Sequence, residues 1–326
     1  MTMLPIRPEQ TRALAVLVAL PSAAHDLSVL ENLAAVPVDS DRGLFNISGT
    51  GVLALSHEAI SNEVIDMADG FIAVLDGDLG LAPHVIDLWR HASDMSIPRL
   101  VAVIGSLVAR ADFDEMVAIV RRVLEPDVLV RYLPIESDED ESVVGLYDIL
   151  TAEIRDMTSG IVDVRPADPE HIAITSERRD ELFTELAYFA FDDYVFEQHE
   201  QGLPISVTSL ERAWQSPDVI TMLPIDNAVS SDLIHEWCSG LDERWTPSVS
   251  NDDERDVTAD AGFGVGMSDD IARVWNCTTE TPLMSSRGTL MTVAHTCGGL
   301  ATVLGVRTND TLTQSGRFLV VRIPRF

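Results

Sequence analysis

At 326 residues, 46% of them hydrophobic, the chain has the apolar mass for two or three domains with packed cores and is neither disordered nor fibrous. Its 53 acidic residues face 22 basic ones, all arginine, for a net charge of −31. A surface this acidic repels phosphates, which excludes a generic nucleic-acid binder at low salt; the carboxylates fit either a very saline cytoplasm or a GC-rich genome that avoids lysine codons.

The first element is the apolar run ALAVLVAL, Ala13–Leu20. With Arg7 and Arg12 before it and Ser22, Ala23 and Ala24 after it, it imitates a secretory signal, but its apolar part is at the short end for one. A buried first strand explains the same letters, and no apolar run approaches the length of a membrane span. LPSAAHDLSVLENL, Leu20–Leu33, then reads as a strand-to-helix turn, the place where many α/β proteins cradle a phosphate. It has no glycine. Capping by Asp26 or Ser28 explains it as an ordinary turn. Val36–Gly51 and Ser56–Asn62 are expected as short, fixed loops.

Further runs read as strands buried on both faces of a parallel sheet: Phe71–Leu75, Leu100–Ile104, Val128–Tyr132 and Val219–Leu223. Helices alternate with them. Pro83 marks the start of one, and Phe113, Met116, Val117, Val120 and Leu124 form the apolar face of another. This alternation predicts a doubly wound α/β domain. From about 127 to 216 the pattern changes. ESDEDES, Glu136–Ser142, reads as a solvated loop. Glu177–Glu200 reads as one long helix ended by Gly202, and Ser206 or Thr208 caps a short helix ending near Trp214. A helical insertion is predicted there. A polar linker follows Trp245, and Val257–Phe326 alternates like a small β-barrel. The expected domains are therefore residues 1–250 with the insertion, then 251–326.

Candidate sites outside this pattern are few. Three cysteines, Cys238, Cys277 and Cys297, are too few for a disulfide framework and suit a reducing cytoplasm. His295, Cys297 and Cys277 lack the four tightly spaced ligands of a zinc site, so no metal is expected. GFGVG, Gly262–Gly266, does not open a helix and reads as a flexible loop. Tyr188, Phe189, Phe191, Tyr194 and Phe196 exceed one helical stripe. Tyr188, Tyr194 and Phe196 are therefore candidates for a partner surface.

The segment ADGFIAVLDGDLGLAPHVIDLWRHASDMSIPRLVAVIGSLVARADFDEMV, Ala68–Val117, resembles bacterial elongation factor G and its paralogues, the translational GTPases. Asp69-Gly70, Gly80, Pro83, Trp89-Arg90 and Ala111-Asp112-Phe113 carry the likeness. LPIESDED (Leu133–Asp140), Glu181–Trp214 and Val293–Gly316 are similar to later parts of the family in the same order. The resemblance implies a P-loop GTPase-like sheet with an insertion, then the family's second-domain barrel. On this resemblance the chain is expected to match the family only through its second domain, without the three further domains on which the family's translocation work depends.

The same resemblance places the family's chemistry where this sequence lacks it. Of the phosphate loop, the first glycine is replaced by Leu20, the second by His25, the lysine by Asp26 and the magnesium-binding hydroxyl by Leu27; only Ser28 is family-like. A carboxylate about 4 Å from a phosphate opposes it by roughly 4 kcal/mol per charge at an effective dielectric near 20. The guanine-reading tetrad becomes Ile104, Gly105, Ser106 and Leu107. The aspartate-threonine-proline-glycine-histidine segment becomes ALSHEAISNEV, where His57 reads as a surface histidine. Thr50 is a faint candidate for the switch threonine. The resemblance therefore implies a pseudo-GTPase of the cytoplasm with no catalytic residue and no cofactor. It would act by binding a ribosome or other translation partner. A protein-interaction scaffold without a ribosomal role is the alternative, and an active GTP-binding factor ranks last.

Overall fold

The computed structural model describes residues 14–21, 30, 33, 35–77, 79–104, 113–136, 143–156, 162–189, 197–198, 201, 203, 205–216, 218–225, 228–242, 244 and 263–314. Its centre is a seven-stranded sheet of β1 (Ala15–Leu20), β2 (Val36–Asp39), β3 (Leu44–Ile47), β4 (Thr50–Ser56), β5 (Gly70–Asp76), β6 (Arg99–Ile104) and β11 (Thr221–Pro224), in the order β11-β6-β5-β1-β4-β3-β2. The pairs from β11 to β4 are parallel, and β4-β3 and β3-β2 are antiparallel. Every residue of β1, β5 and β6 is buried, which is why these strands read as uninterrupted apolar runs. Helices α1 (Asn62–Asp66), α2 (Pro83–Asp94), α3 (Phe113–Val123) and α7 (Ala228–Gly240) belong to the same domain. Pro83 opens α2, and α3 carries Asp114 and Glu115 in its first turn and Arg121 and Arg122 in its last, matching the helix dipole.

Several expectations change. The stretch expected as the loop Val36–Gly51 is edge strand β2, a 3-10 turn at Ser40–Arg42 and strand β3; Gly43, with φ of +70°, makes the corner. In the run Val128–Tyr132, Leu129 makes only an isolated parallel bridge to Thr221 and Tyr132 already begins another strand, because the chain is there leaving the main sheet for a second one. That second sheet is the larger correction. The insertion expected to be helical also holds four antiparallel strands, β7 (Tyr132–Glu136), β8 (Val143–Asp148), β9 (Glu153–Asp156) and β10 (Asp163–Pro166), in the order β10-β9-β8-β7. Its strands are short and charged, and β10 has no buried residue, so no apolar alternation announces them. Helices α4 (Pro169–Ile174), α5 (Ser176–Phe189) and α6 (Val207–Trp214) pack on them, with Leu182, Leu186, Leu210, Tyr147 and Ile154 in the shared core. Ser206 holds the cap position of α6 without a side-chain cap bond.

Six strands, β12 (Phe263–Ser268), β13 (Ile271–Trp275), β14 (Pro282–Ser285), β15 (Leu290–Cys297), β16 (Leu300–Val303) and β17 (Thr311–Thr313), close into the barrel in the order β12-β13-β16-β15-β14-β17. Closure leaves no open edge. GFGVG is accordingly strand β12 from Phe263 on, not a flexible loop. A Cβ on Gly266 would overlap the Arg307 carbonyl, so the bare backbone permits the close approach.

Candidate functional site

In a doubly wound sheet, ligands bind beyond the carboxyl ends of the strands where the winding reverses. Here β1 is flanked by β4 and β5, so that crevice lies beyond Leu20, Ser56, Asp76 and Ile104. Leu20 is buried in the apolar core, and Ile104 is 8% exposed and accepts a hydrogen bond from Gly77 N at 3.0 Å. Asp76 is buried, and its carbonyl accepts from Leu79 N (3.1 Å) and Gly80 N (2.8 Å), closing a tight turn in which Gly80 takes φ of +72°. His25, Asp26, Leu27 and Ser28 lie outside the described residues, as do Gly105, Ser106 and Leu107.

His57 does not lie on the surface as expected. It follows β4 in a 3-10 turn, is 8% exposed, and its Nδ1 has no hydrogen-bond partner among the described residues. The His84 ring lies 6.0 Å away, with its Nε2 3.4 Å from the Ile60 carbonyl. Thr50 lies at the wrong end of its strand for a magnesium ligand. It begins β4, buried beside the barrel, whereas the crevice lies beyond Ser56; seven strand residues span about 20 Å.

The segment before β4 is tied to the barrel. Asp39 Oδ2 accepts from Thr302 Oγ1 at 2.9 Å and from Arg42 at 3.2 Å, and Arg42 Nε donates to Asp270 at 3.3 Å. Cys297 Sγ accepts from Asn46 Nδ2 and donates to the Phe45 carbonyl. The Leu14 carbonyl accepts from both Gly51 N (3.2 Å) and Gly299 N (3.0 Å). A Cβ on Gly51 would overlap the Cys297 carbonyl, and one on Gly298 would overlap Gly51 N. Behind this seam lies a fully buried ion pair, Arg273 with Asp69, at 2.7 Å. Asp69 also accepts from Ala15 N (2.9 Å) and Arg244 N (2.8 Å), and Arg273 donates to the Met67 carbonyl. The sequence does carry a signal for this pair: an arginine at the centre of the apolar strand IARVW.

Of the partner-surface candidates, Tyr188 is 67% exposed near the end of α5, while Tyr194 and Phe196 lie outside the described residues. Among the described residues, no group of three or more His, Cys, Asp and Glu could hold a metal ion. No described helix is long and apolar enough to cross a membrane.

No protein-family model matches the chain. Its sequence is 26% identical to elongation factor G of Mycoplasma pneumoniae over 147 residues, 44% of this chain and 21% of that protein. It is 30% identical to elongation factor G 2 of Trichodesmium erythraeum over 45% of the chain and 21% of that protein. It is 26% identical to the mitochondrial ribosome-releasing factor 2 of Drosophila sechellia over 36% of the chain and 18% of that protein. The chain thus spans about a fifth of the length of these relatives. In fold it matches the crystal structure of ttk003000868 from Thermus thermophilus over 96% of this chain and 56% of that one, with a TM-score of 0.67 at 14% identity. The chain has a GTPase-like sheet followed by a small closed barrel, and is similar in sequence to elongation factor G over less than half its length.

Proposed function

We propose that this chain is a cytoplasmic, translation-associated binding protein that keeps the architecture of a translational GTPase without hydrolysing GTP. The observation that carries the reading is the tie between Asp39, Arg42, Thr302 and Asp270. A nucleotide switch works by taking two positions. A segment that is an edge strand and is also bonded to the barrel is built for one. The letters point the same way: Leu20, His25, Asp26 and Leu27 offer a triphosphate neither glycine nor lysine, and Ile104, Gly105, Ser106 and Leu107 offer a guanine no carboxylate.

Titration calorimetry with GTP or GDP and Mg²⁺ tests this. No binding heat is expected, and micromolar affinity would restore the active-factor reading. Asp26→Lys alone should not create binding, because the other positions stay unsuited.

The partner proposed first is the ribosome, with Tyr188 in the contact surface alongside Tyr194 and Phe196, since aromatic anchors commonly dominate interfaces. The net charge of −31 favours a second reading, a scaffold for another protein, because rRNA repels such a surface until salt screens it. Sedimentation with ribosomes over a series of KCl concentrations separates them. Association that strengthens as screening sets in, and weakens in Tyr188→Ala at unchanged melting temperature, supports the ribosome. Association at no salt concentration leaves the scaffold.

A further inference from the structure

A cleft of about 260 Å³ opens between α3 of the sheet domain and α5 of the insertion. One water needs about 10–15 Å³ of such space, so a small organic molecule has room there. We infer that the cleft binds a free α-amino acid with an aliphatic side chain, its carboxylate on Arg121 and its ammonium on Glu185. Near the start of both helices, Arg178 of α5 reaches Asp114 of α3 at 2.6 Å, and the two charges cancel. Two turns further along the same helices come Arg121 and Glu185, both lining the cleft. Among the described residues, Arg121 donates only to the Val128 carbonyl, at 3.4 Å, and Glu185 accepts no hydrogen bond. Arg121 Nε is enclosed, but its Nη1 and the Glu185 carboxylate stay open to solvent in the cleft. The outer pair closes on itself, whereas the inner pair feels each other's charge without touching.

Both inner charges call for a partner of opposite sign. Burial pushes the Glu185 carboxyl above its ordinary value; Arg121 opposes this, and Glu181 and Asp127 add to it. A ligand ammonium would relieve that penalty. Glu181, one turn before Glu185 on the same helix face, is exposed and lines the cleft as a second acceptor. A ligand that is only a cation would face the Arg121 guanidinium, and one that is only an anion would face two carboxylates. A zwitterion satisfies both ends. Between the charges the wall is apolar: Val117, Leu133, Ile149 and Leu182 suit an aliphatic side chain and offer no side-chain hydrogen bond to a polar one.

The probe is L-leucine, added to the full chain and followed by calorimetry and saturation-transfer NMR. Saturable binding at one site is expected. Glu185→Gln keeps the shape and removes a desolvated charge, so its melting temperature should not fall. It should nevertheless bind leucine about tenfold more weakly or worse, the usual effect of losing a charge-assisted hydrogen bond. Arg121→Gln should weaken leucine likewise. Isopentylamine, which is leucine without its carboxylate, and isocaproate, which is leucine without its ammonium, should each bind the parent chain more weakly than leucine, as should glycine, which lacks the side chain. No saturable binding of leucine overturns the inference. So does equal affinity in a folded Glu185→Gln or Arg121→Gln, or equal binding by any of the three analogues. If neither variant folds, the analogues alone decide.

Discussion

Asp69 receives three hydrogen bonds, from Ala15 N, Arg244 N and the Arg273 guanidinium, in a place water does not reach. A buried pair need not add stability compared with apolar residues, but breaking it leaves a bare charge. Arg273→Met should therefore cost about 3–5 kcal/mol in urea unfolding. The double variant Asp69→Leu, Arg273→Met should cost less than the sum of the single ones, because the two sites share one interaction. A second residue-scale expectation concerns Cys238, whose thiol burial pushes up to about 12. The thiolate is the reactive form. In folded protein at pH 8, Cys238 should resist a disulfide reagent that labels the half-buried Cys277, and should react only after denaturant is added. Residue-scale chemistry is the least legible in the sequence. The partners Asp69 and Arg273 lie 204 positions apart.

Legibility at the scale of elements follows burial. Strands enclosed on both faces, such as β1 and β6, can be read from their letters alone. The insertion's sheet cannot, because its strands are edged, short and half solvated; DVRP in β10 looks like a turn. The barrel lies between these extremes, visible as alternation, while the glycines of GFGVG hide a strand behind the look of a loop. One barrel contact gives an element-scale test. Arg287 reaches the Asp310 carboxylate at 2.6 Å and holds it below the usual carboxylate range, chiefly through that hydrogen bond. A depressed carboxyl contributes stability above its unfolded value near 4, and the contribution is lost as pH falls through the folded value. Asp310→Asn should accordingly melt below the parent at pH 6, and the gap between them should close as the pH is taken down toward 2.

For the whole molecule, the dominant number is −31. Like-charge repulsion opposes the compact state, and by about 0.5 M salt the Debye length is only a few ångströms. The melting temperature should rise with KCl up to that point. A continued rise toward saturating KCl would mark a surface adapted to brine, and a plateau would mark codon usage alone. The overall architecture is legible because many weak matches fall in the family's order. How the two domains join is not, since partners in the joint such as Asp39 and Thr302 lie 263 positions apart and its closest approaches, at Leu14, Gly51 and Gly299, are between backbone atoms.

That joint has a mechanical consequence. The Leu14 carbonyl bonds at once to Gly51 and Gly299, and one apolar core runs from Leu17 and Phe71 to Met267, Trp275 and Leu300. Packed interiors are stiff and pass strain on without absorbing it. The barrel is therefore a handle on the sheet: a torque applied where a partner grips it arrives at β1, the middle strand, with little lost along the way.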